Sequence, residues 1–436
     1  MKKIICLITV LFAFVAVSCE PKGPETQDVD VQLSFENSPI AEEGVTVTLS
    51  NGTASFEALT NADGVATFNV PVGVYTATIS YKKSVDGSLF NYNGSANLVV
   101  EVGEKPTVSI ILTESKASQL IIKELYNGGS TNDAGKTYQL DKYIIIYNNS
   151  DTEVDASRMG LAMAQITALP ATNKYPITDG VISYDSEGWT PASYAIWWFQ
   201  SGTEVKIAPY SQIAIAINGA IDHTQTYPQS VDLSNVDFCL YDIETSFNKA
   251  DNYPAPSANI PESHHMKTYV FGTGTAWPFP IQSASPFILI PEAGVNLSDY
   301  VTKAENQDNT NPSSLASNYV KIPCGWVLDA LELWPAADET KYFYRFPRVV
   351  NVGYQVYTNK LGYSTYRNVD KAATEAIAEN QGKLVYDYAG AVSEEDSDPS
   401  GIDAEASIAA GAKIVFMDTN NSSTDFHLRK VATLKK

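Results

Sequence analysis

Basic residues are scarce in this chain: 29 Lys and Arg stand against 50 Asp and Glu in 436 residues, a formal charge of −21. So negative a molecule repels a phosphate backbone before any contact forms, which argues against a nucleic-acid partner. Cysteine is equally sparse, with four in all and no C-x-x-C pair. That excludes a disulfide scaffold, a zinc ribbon and a dithiol redox motif. Histidine is limited to His223, His264, His265 and His427, and neither a G-x-S-x-G elbow nor H-E-x-x-H occurs. Hydrolases of the serine type need a nucleophile, a His base and a carboxylate in mutual reach, and nothing here nominates them. The expectation is a protein that is not an enzyme. What is abundant is apolar and aromatic: 44% hydrophobic residues and 25 Tyr. With plentiful Val, Ile and Thr, this composition suits pleated, half-buried surfaces, and the length allows two or three cores.

The N-terminus carries Lys2 and Lys3, then the apolar run Ile4 to Val17, too short to span a bilayer as a mature helix. It ends Val15-Ala16-Val17-Ser18-Cys19 and turns polar at Glu20-Pro21-Lys22-Gly23-Pro24. Small residues before a cysteine at the end of such a run resemble a bacterial lipobox, with Ala16 where Leu is usual. The resemblance implies that residues 1–18 are a lipoprotein signal peptide and that Cys19 is acylated, anchoring the protein in the outer membrane. Acyl chains contribute about 0.8 kcal/mol per buried methylene, so two or three hold firmly. Residues 19–30, rich in Pro, Glu and Asp, read as a flexible tether. Cys239 and Cys324 then remain, as one disulfide or as two free thiols.

From Val31 to Leu112 the pattern is that of strands. Val45, Val47 and Leu49 alternate with Thr46, Thr48 and Ser50, and Tyr75, Ala77, Ile79 and Tyr81 share one face. Asp63-Gly64 and Gly73 supply turns. Thr60-Asn61, Gly64, Phe68, Pro71, Gly73 and Tyr75 form a pattern that resembles the carboxypeptidase-regulatory-like (prealbumin-like) domain over residues 31–114. That resemblance implies a seven-stranded β-sandwich serving as a spacer.

Beyond a polar link, Leu120 to Tyr126 and Tyr143 to Tyr147 read as strands, the second closed by the turn Asn148-Asn149-Ser150-Asp151. With Gly202-Thr203-Glu204-Val205 before the apolar run Gln212 to Ile217, these segments resemble the lamin-tail domain, an immunoglobulin-like sandwich. Trp326 to Leu333 and Gly362 to Arg367 fit its later strands. Residues 118–436 would then be this sandwich, decorated by an insertion at about 222–285. The whole chain looks like an uncharacterised domain-of-unknown-function family of Gram-negative surface lipoproteins. That likeness implies a ligand-capturing or scaffolding role beside a TonB-dependent outer-membrane transporter, and it implies no catalytic residue or cofactor. The fold expected is thus all-β, with one short helix at Lys371 to Glu379 capped by Asp370.

Three groups of residues are candidates for binding. His264, His265 and Met266, with Tyr269 beyond, offer imidazole, thioether and phenol donors suited to haem iron or copper. Successive strand residues point to opposite faces, so convergence would need a bend. Asp418, Asn420, Ser422 and Asp425 place oxygens at alternating positions, as calcium loops do, though the Gly and distal Glu of an EF-hand are missing. Such residues also make ordinary turns. Trp197 and Trp198, near Trp189, Tyr194 and Phe199, offer faces on which sugars stack, with one of the neighbouring pair expected in the core.

Overall fold

Period-two alternation builds the first part of the molecule. In the strand Thr26–Phe35, Val29, Val31 and Leu33 are fully buried. Asp28 and Asp30 face the other way and accept hydrogen bonds from Asn69 (2.8 Å) and Thr67 (2.7 Å), with Lys105 ion-paired to Asp30 at 2.7 Å. Residues 26–30, expected as tether, are therefore strand. Their alternating valines outweigh the acidic composition.

The computed structural model describes residues 25–435 apart from 52–53, 86–87, 132–134, 166–167, 169–174, 179, 245–252, 271–277, 282, 309–318 and 336–340. The signal segment 1–18, Cys19 and residues 20–24 of the tether lie outside the described residues. The chain divides into two compact units, residues 25–79 with 95–111 and residues 80–94 with 112–435.

Among the described residues eight strands, rather than the seven expected, lie between Thr26 and Lys116. Their order is Ser38–Pro39, Thr26–Phe35, Thr107–Lys116, Ser88–Val100, Gly73–Val85, Thr46–Ser50 and Ser55–Leu59, with Val65–Pro71 pairing Thr26–Phe35. Gly64 turns at φ +74°, and a Cβ there would meet the Ile40 carbonyl oxygen at 2.0 Å, so only glycine fits. Tyr75 is buried and donates its hydroxyl to Pro71 O at 2.9 Å, which satisfies its polar tip.

In the second unit, a six-stranded sheet runs Phe238–Cys239, Gln212–Ala216, Tyr143–Asn148, Leu120–Tyr126, Ser364–Arg367 and Phe426–Arg429. A five-stranded sheet runs Lys267–Val270, Ala195–Trp198, Gly160–Met163, Pro286–Leu289 and Val327–Ala330. Between them Ile122, Ile144, Ile146 and Ile215 meet Leu161, Met163, Trp197 and Ile288. The six-stranded sheet is covered on its other face as well, where Ile121, Tyr147 and Tyr366 pack on Ile402, Ile414 and Phe416. Burial on both faces accounts for the unbroken run Ile144-Ile145-Ile146. Beyond the five-stranded sheet, Ile196, Phe287 and Leu289 pack on Val320 and Ile322, which belong to a strand, Tyr319–Pro323, of a three-stranded sheet. The fold is all-β.

Two further expectations change. The segment 222–285 does not merely decorate the sandwich: Phe238–Cys239 and Lys267–Val270 supply an edge strand to each large sheet, and Phe238, Leu240, Met266 and Phe279 enter the main core. Among the described residues there are also four short α-helices rather than one: Leu297–Thr302, Lys371–Glu375, Ala404–Ala409 and Ser422–Asp425. Each begins at an Asn or Asp that accepts a hydrogen bond from a first-turn backbone N–H. The helix capped by Asp370 ends four residues before Glu379. Asn380 Nδ2 donates to Thr374 O (2.8 Å) and Lys413 O (2.7 Å), diverting the carbonyl that would carry the helix on. Cys239 and Cys324 are both free thiols.

Candidate functional site

The strand Ala195–Trp198 lies between Lys267–Val270 and Gly160–Met163, and alternation separates its two tryptophans. Trp197 is 1% exposed in the main core, its ring centroid 6.1 Å from that of Phe279. Trp198 points to the other face, half-buried, and lines a concavity of about 410 Å³ with Arg158, Gln200, Thr203, Asn296 and Ser298. Pockets of this size suit small ligands.

Local hydrogen bonds hold its walls. Gln200 Nε2 donates to Glu262 O (2.6 Å) and His265 O (2.8 Å), and Thr203 Oγ1 to Ser263 O (2.9 Å). Asn296 Oδ1 accepts from Ser298 N at 3.0 Å, starting the helix Leu297–Thr302. Arg158 donates through Nη2 to Pro291 O (2.7 Å), Glu292 O (2.6 Å) and Val295 O (3.4 Å). Arg158 is itself exposed, and its Nε and Nη1 hydrogens have no acceptor among the described residues, which leaves donors to spare in the concavity that the Trp198 indole also lines. The remaining aromatics are packed against other rings, Phe199 among them although it too borders the concavity. Phe199 packs on Phe238 with centroids 4.6 Å apart, and Trp189 stacks on Tyr184 at 5.0 Å.

The donor set His264, His265, Met266 and Tyr269 is not brought together. His264 stacks on Phe238 (4.6 Å, 23°) and donates from Nδ1 to Asp237 O at 2.8 Å. His265 meets Tyr241 edge-on (5.6 Å, 84°), and burial lowers its pKa. Met266 is 1% exposed in the core. Tyr269 lies on the edge strand, where its hydroxyl accepts from Gln307 Nε2 at 3.3 Å. His264 ends a 3-10 turn, His265 and Met266 link it to the strand Lys267–Val270 that carries Tyr269, and each side chain has a different set of neighbours, so no single metal sees them all.

Nor do Asp418, Asn420, Ser422 and Asp425 form a calcium loop. Asp425 accepts from Thr419 N (2.9 Å) and Oγ1 (2.7 Å), and Ser422 Oγ donates to Asn351 Oδ1 at 2.9 Å. Asn420 takes the left-handed conformation, φ +55°, and its carbonyl accepts from Val352 N at 2.8 Å. The carboxylates face a protein cation instead. Arg367, fully buried, pairs with Asp329 and lies 3.5 Å from Asp425 and 3.9 Å from Asp418. Burial raises the Asp329 carboxyl, against the pull of Arg367. Among the described residues no group of three or more His, Cys, Asp or Glu is placed to hold a metal.

Sequence reasoning missed Arg158, Gln200 and Asn296. They come from three separate loops and share no motif; the only local signal was the Gly202-Thr203 turn, read as structure.

A crystal structure of a DUF4876 family protein from Bacteroides thetaiotaomicron superposes with a TM-score of 0.53 at 22% identity, covering 94% of this chain and 96% of that one. At that identity the likeness concerns the fold alone. The Bacillus anthracis TIE protein (TM-score 0.18, 16% identity, 28% of this chain and 27% of that one) carries no argument. The same holds for a DUF3823 family protein from Parabacteroides merdae (TM-score 0.18, 10% identity, 42% of this chain and 92% of that one). No curated protein matches. Residues 208–433, just over half the chain, match the profile of the protein family of unknown function DUF4876, which includes the edge strands at 238–239 and 267–270 and the buried Arg367 cluster, and the chain belongs to that family.

Proposed function

We propose that the protein is a non-enzymatic capture subunit, lipid-anchored at the outer membrane through Cys19, that binds a carbohydrate in the Trp198 concavity and works beside a TonB-dependent transporter. The observation that carries the ligand class is the pairing of a half-exposed indole with the spare donors of Arg158. Sugar rings lay their C–H faces on aromatic faces, and a guanidinium donates to their hydroxyl or carboxylate oxygens. A holding role is supported by how the histidines are used. His223 is buried between the Tyr138 hydroxyl (2.8 Å) and Gly219 O (2.7 Å). His427 sits between the Tyr388 hydroxyl (2.5 Å) and Asn368 Oδ1 (2.7 Å). Both rings are consumed by the fold.

A glycan array probed with the wild-type chain should give at least one oligosaccharide family. Trp198→Ala should weaken its binding about tenfold, or 1.4 kcal/mol. Unchanged binding by the variant, or an empty array, overturns the ligand assignment. Capture of the acylated chain from detergent-solubilised envelopes should co-purify an outer-membrane transporter; an eluate without one removes the partner.

A further inference from the structure

The first unit exposes four valines at one end: Val72 (42%), Val74 (67%), Val99 (56%) and Val102 (58%). Val74 and Val99 share the outer face of two adjacent strands, because Thr76 Oγ1 and Asn97 Oδ1, two residues further along each, are bonded at 2.9 Å. Their neighbours Tyr75, Leu98 and Val100 are turned inward. The polypeptide enters the unit at the same end. Val72 N donates to Glu25 O (3.1 Å), Thr26 pairs with Pro71, and Gly103 N donates to Gln27 Oε1 (3.1 Å). Cys19 is seven residues before Thr26, and seven residues of extended chain reach about 25 Å at most.

We infer that this valine end is a membrane-facing surface that rests on the headgroup region of a bilayer of zwitterionic or uncharged lipid. The inference depends on the anchoring of Cys19 proposed above. A short tether holds the end within reach of the bilayer, and exposed valines gain from leaving water there. Glu25, Glu101 and Glu104 are exposed at the same end, so an anionic surface opposes the contact. The contact adds little to the grip of the acyl chains; what it sets is the orientation of the first unit on the membrane.

The test uses the full acylated chain with an environment-sensitive fluorophore on Val74→Cys in a Cys324→Ser background, reconstituted into phosphatidylcholine vesicles. Emission should rise several-fold and shift to the blue on incorporation, and added phosphatidylglycerol should diminish the change. The same label on Leu59→Cys should stay in water, since Leu59 pairs with Thr46, next to the Val47 that pairs with Ile79, about 20 Å along the strands from Val74. If the protein is incorporated and both labels behave alike, the membrane contact is wrong while the anchor stands. A change that needs no vesicles and grows with protein concentration assigns the valines to a second copy of the chain, which also overturns the inference. Absence of incorporated lipid on Cys19 removes the anchor and this contact together.

Discussion

Arg367→Met is expected to destabilise the protein by about 3–5 kcal/mol, the penalty for leaving a buried charge without its partner. Three carboxylates, those of Asp329, Asp418 and Asp425, surround this one guanidinium. Arg367 also donates from Nε to Ile122 O (2.7 Å) and from Nη1 to Met417 O (2.8 Å), so it ties the centre of the six-stranded sheet to the segment that leads into the last helix. Removing it leaves negative charges in a medium that cannot screen them, along with unpaired carbonyls. Urea unfolding at neutral pH reads the loss. Adding Asp329→Asn to Arg367→Met should restore part of it, since one of the stranded charges disappears. A single variant as stable as the wild type would mean that these carboxylates are not ionised in the folded protein.

Lys142→Met should do the opposite at pH 6 and raise stability by about 2 kcal/mol. The Lys142 ammonium is fully buried and donates to Phe279 O at 2.6 Å, and burial pulls its pKa down to about 7 against the attraction of Asp141. The free side chain titrates near 10.4. Between those values the unfolded chain keeps a proton that the folded chain has released, so stability rises with pH through this window and the penalty is fully present below it. Methionine removes the penalty but leaves the Phe279 carbonyl without its donor, which costs about 1–3 kcal/mol. The stability curves of the two proteins should therefore cross between pH 7 and 10, with the variant ahead on the acid side. Parallel curves across that range would show that Lys142 keeps its ordinary pKa in the fold.

How far sequence reasoning reached depended on whether a signal was local. Val47 and Leu49, and Tyr75, Ala77 and Ile79, are buried on alternate positions of their strands, because each sheet there has one dry face. The strand Tyr143–Asn148 and the turn after it were equally readable. Two-residue strands such as Phe238–Cys239 and helices of four to six residues are shorter than the periods that reveal them. Asp418 and Asp425 illustrate a further blind spot: oxygen-rich spacing fits a metal loop and a capped turn alike, and only the approach of Arg367, some fifty residues earlier, decides between them. At the concavity, alternation separates Trp197 from Trp198, but nothing in the neighbourhood of Arg158 announces that it will stand beside an indole forty residues away.

The central claim, that the Trp198 concavity is where a sugar is held, is tested most directly by a crystal structure of the chain with the oligosaccharide it binds best on the array. The account predicts a sugar ring lying flat on Trp198 with an oxygen in hydrogen-bond range of Arg158 Nε or Nη1. A ring bound at any other surface, with the concavity filled only by water, would contradict it.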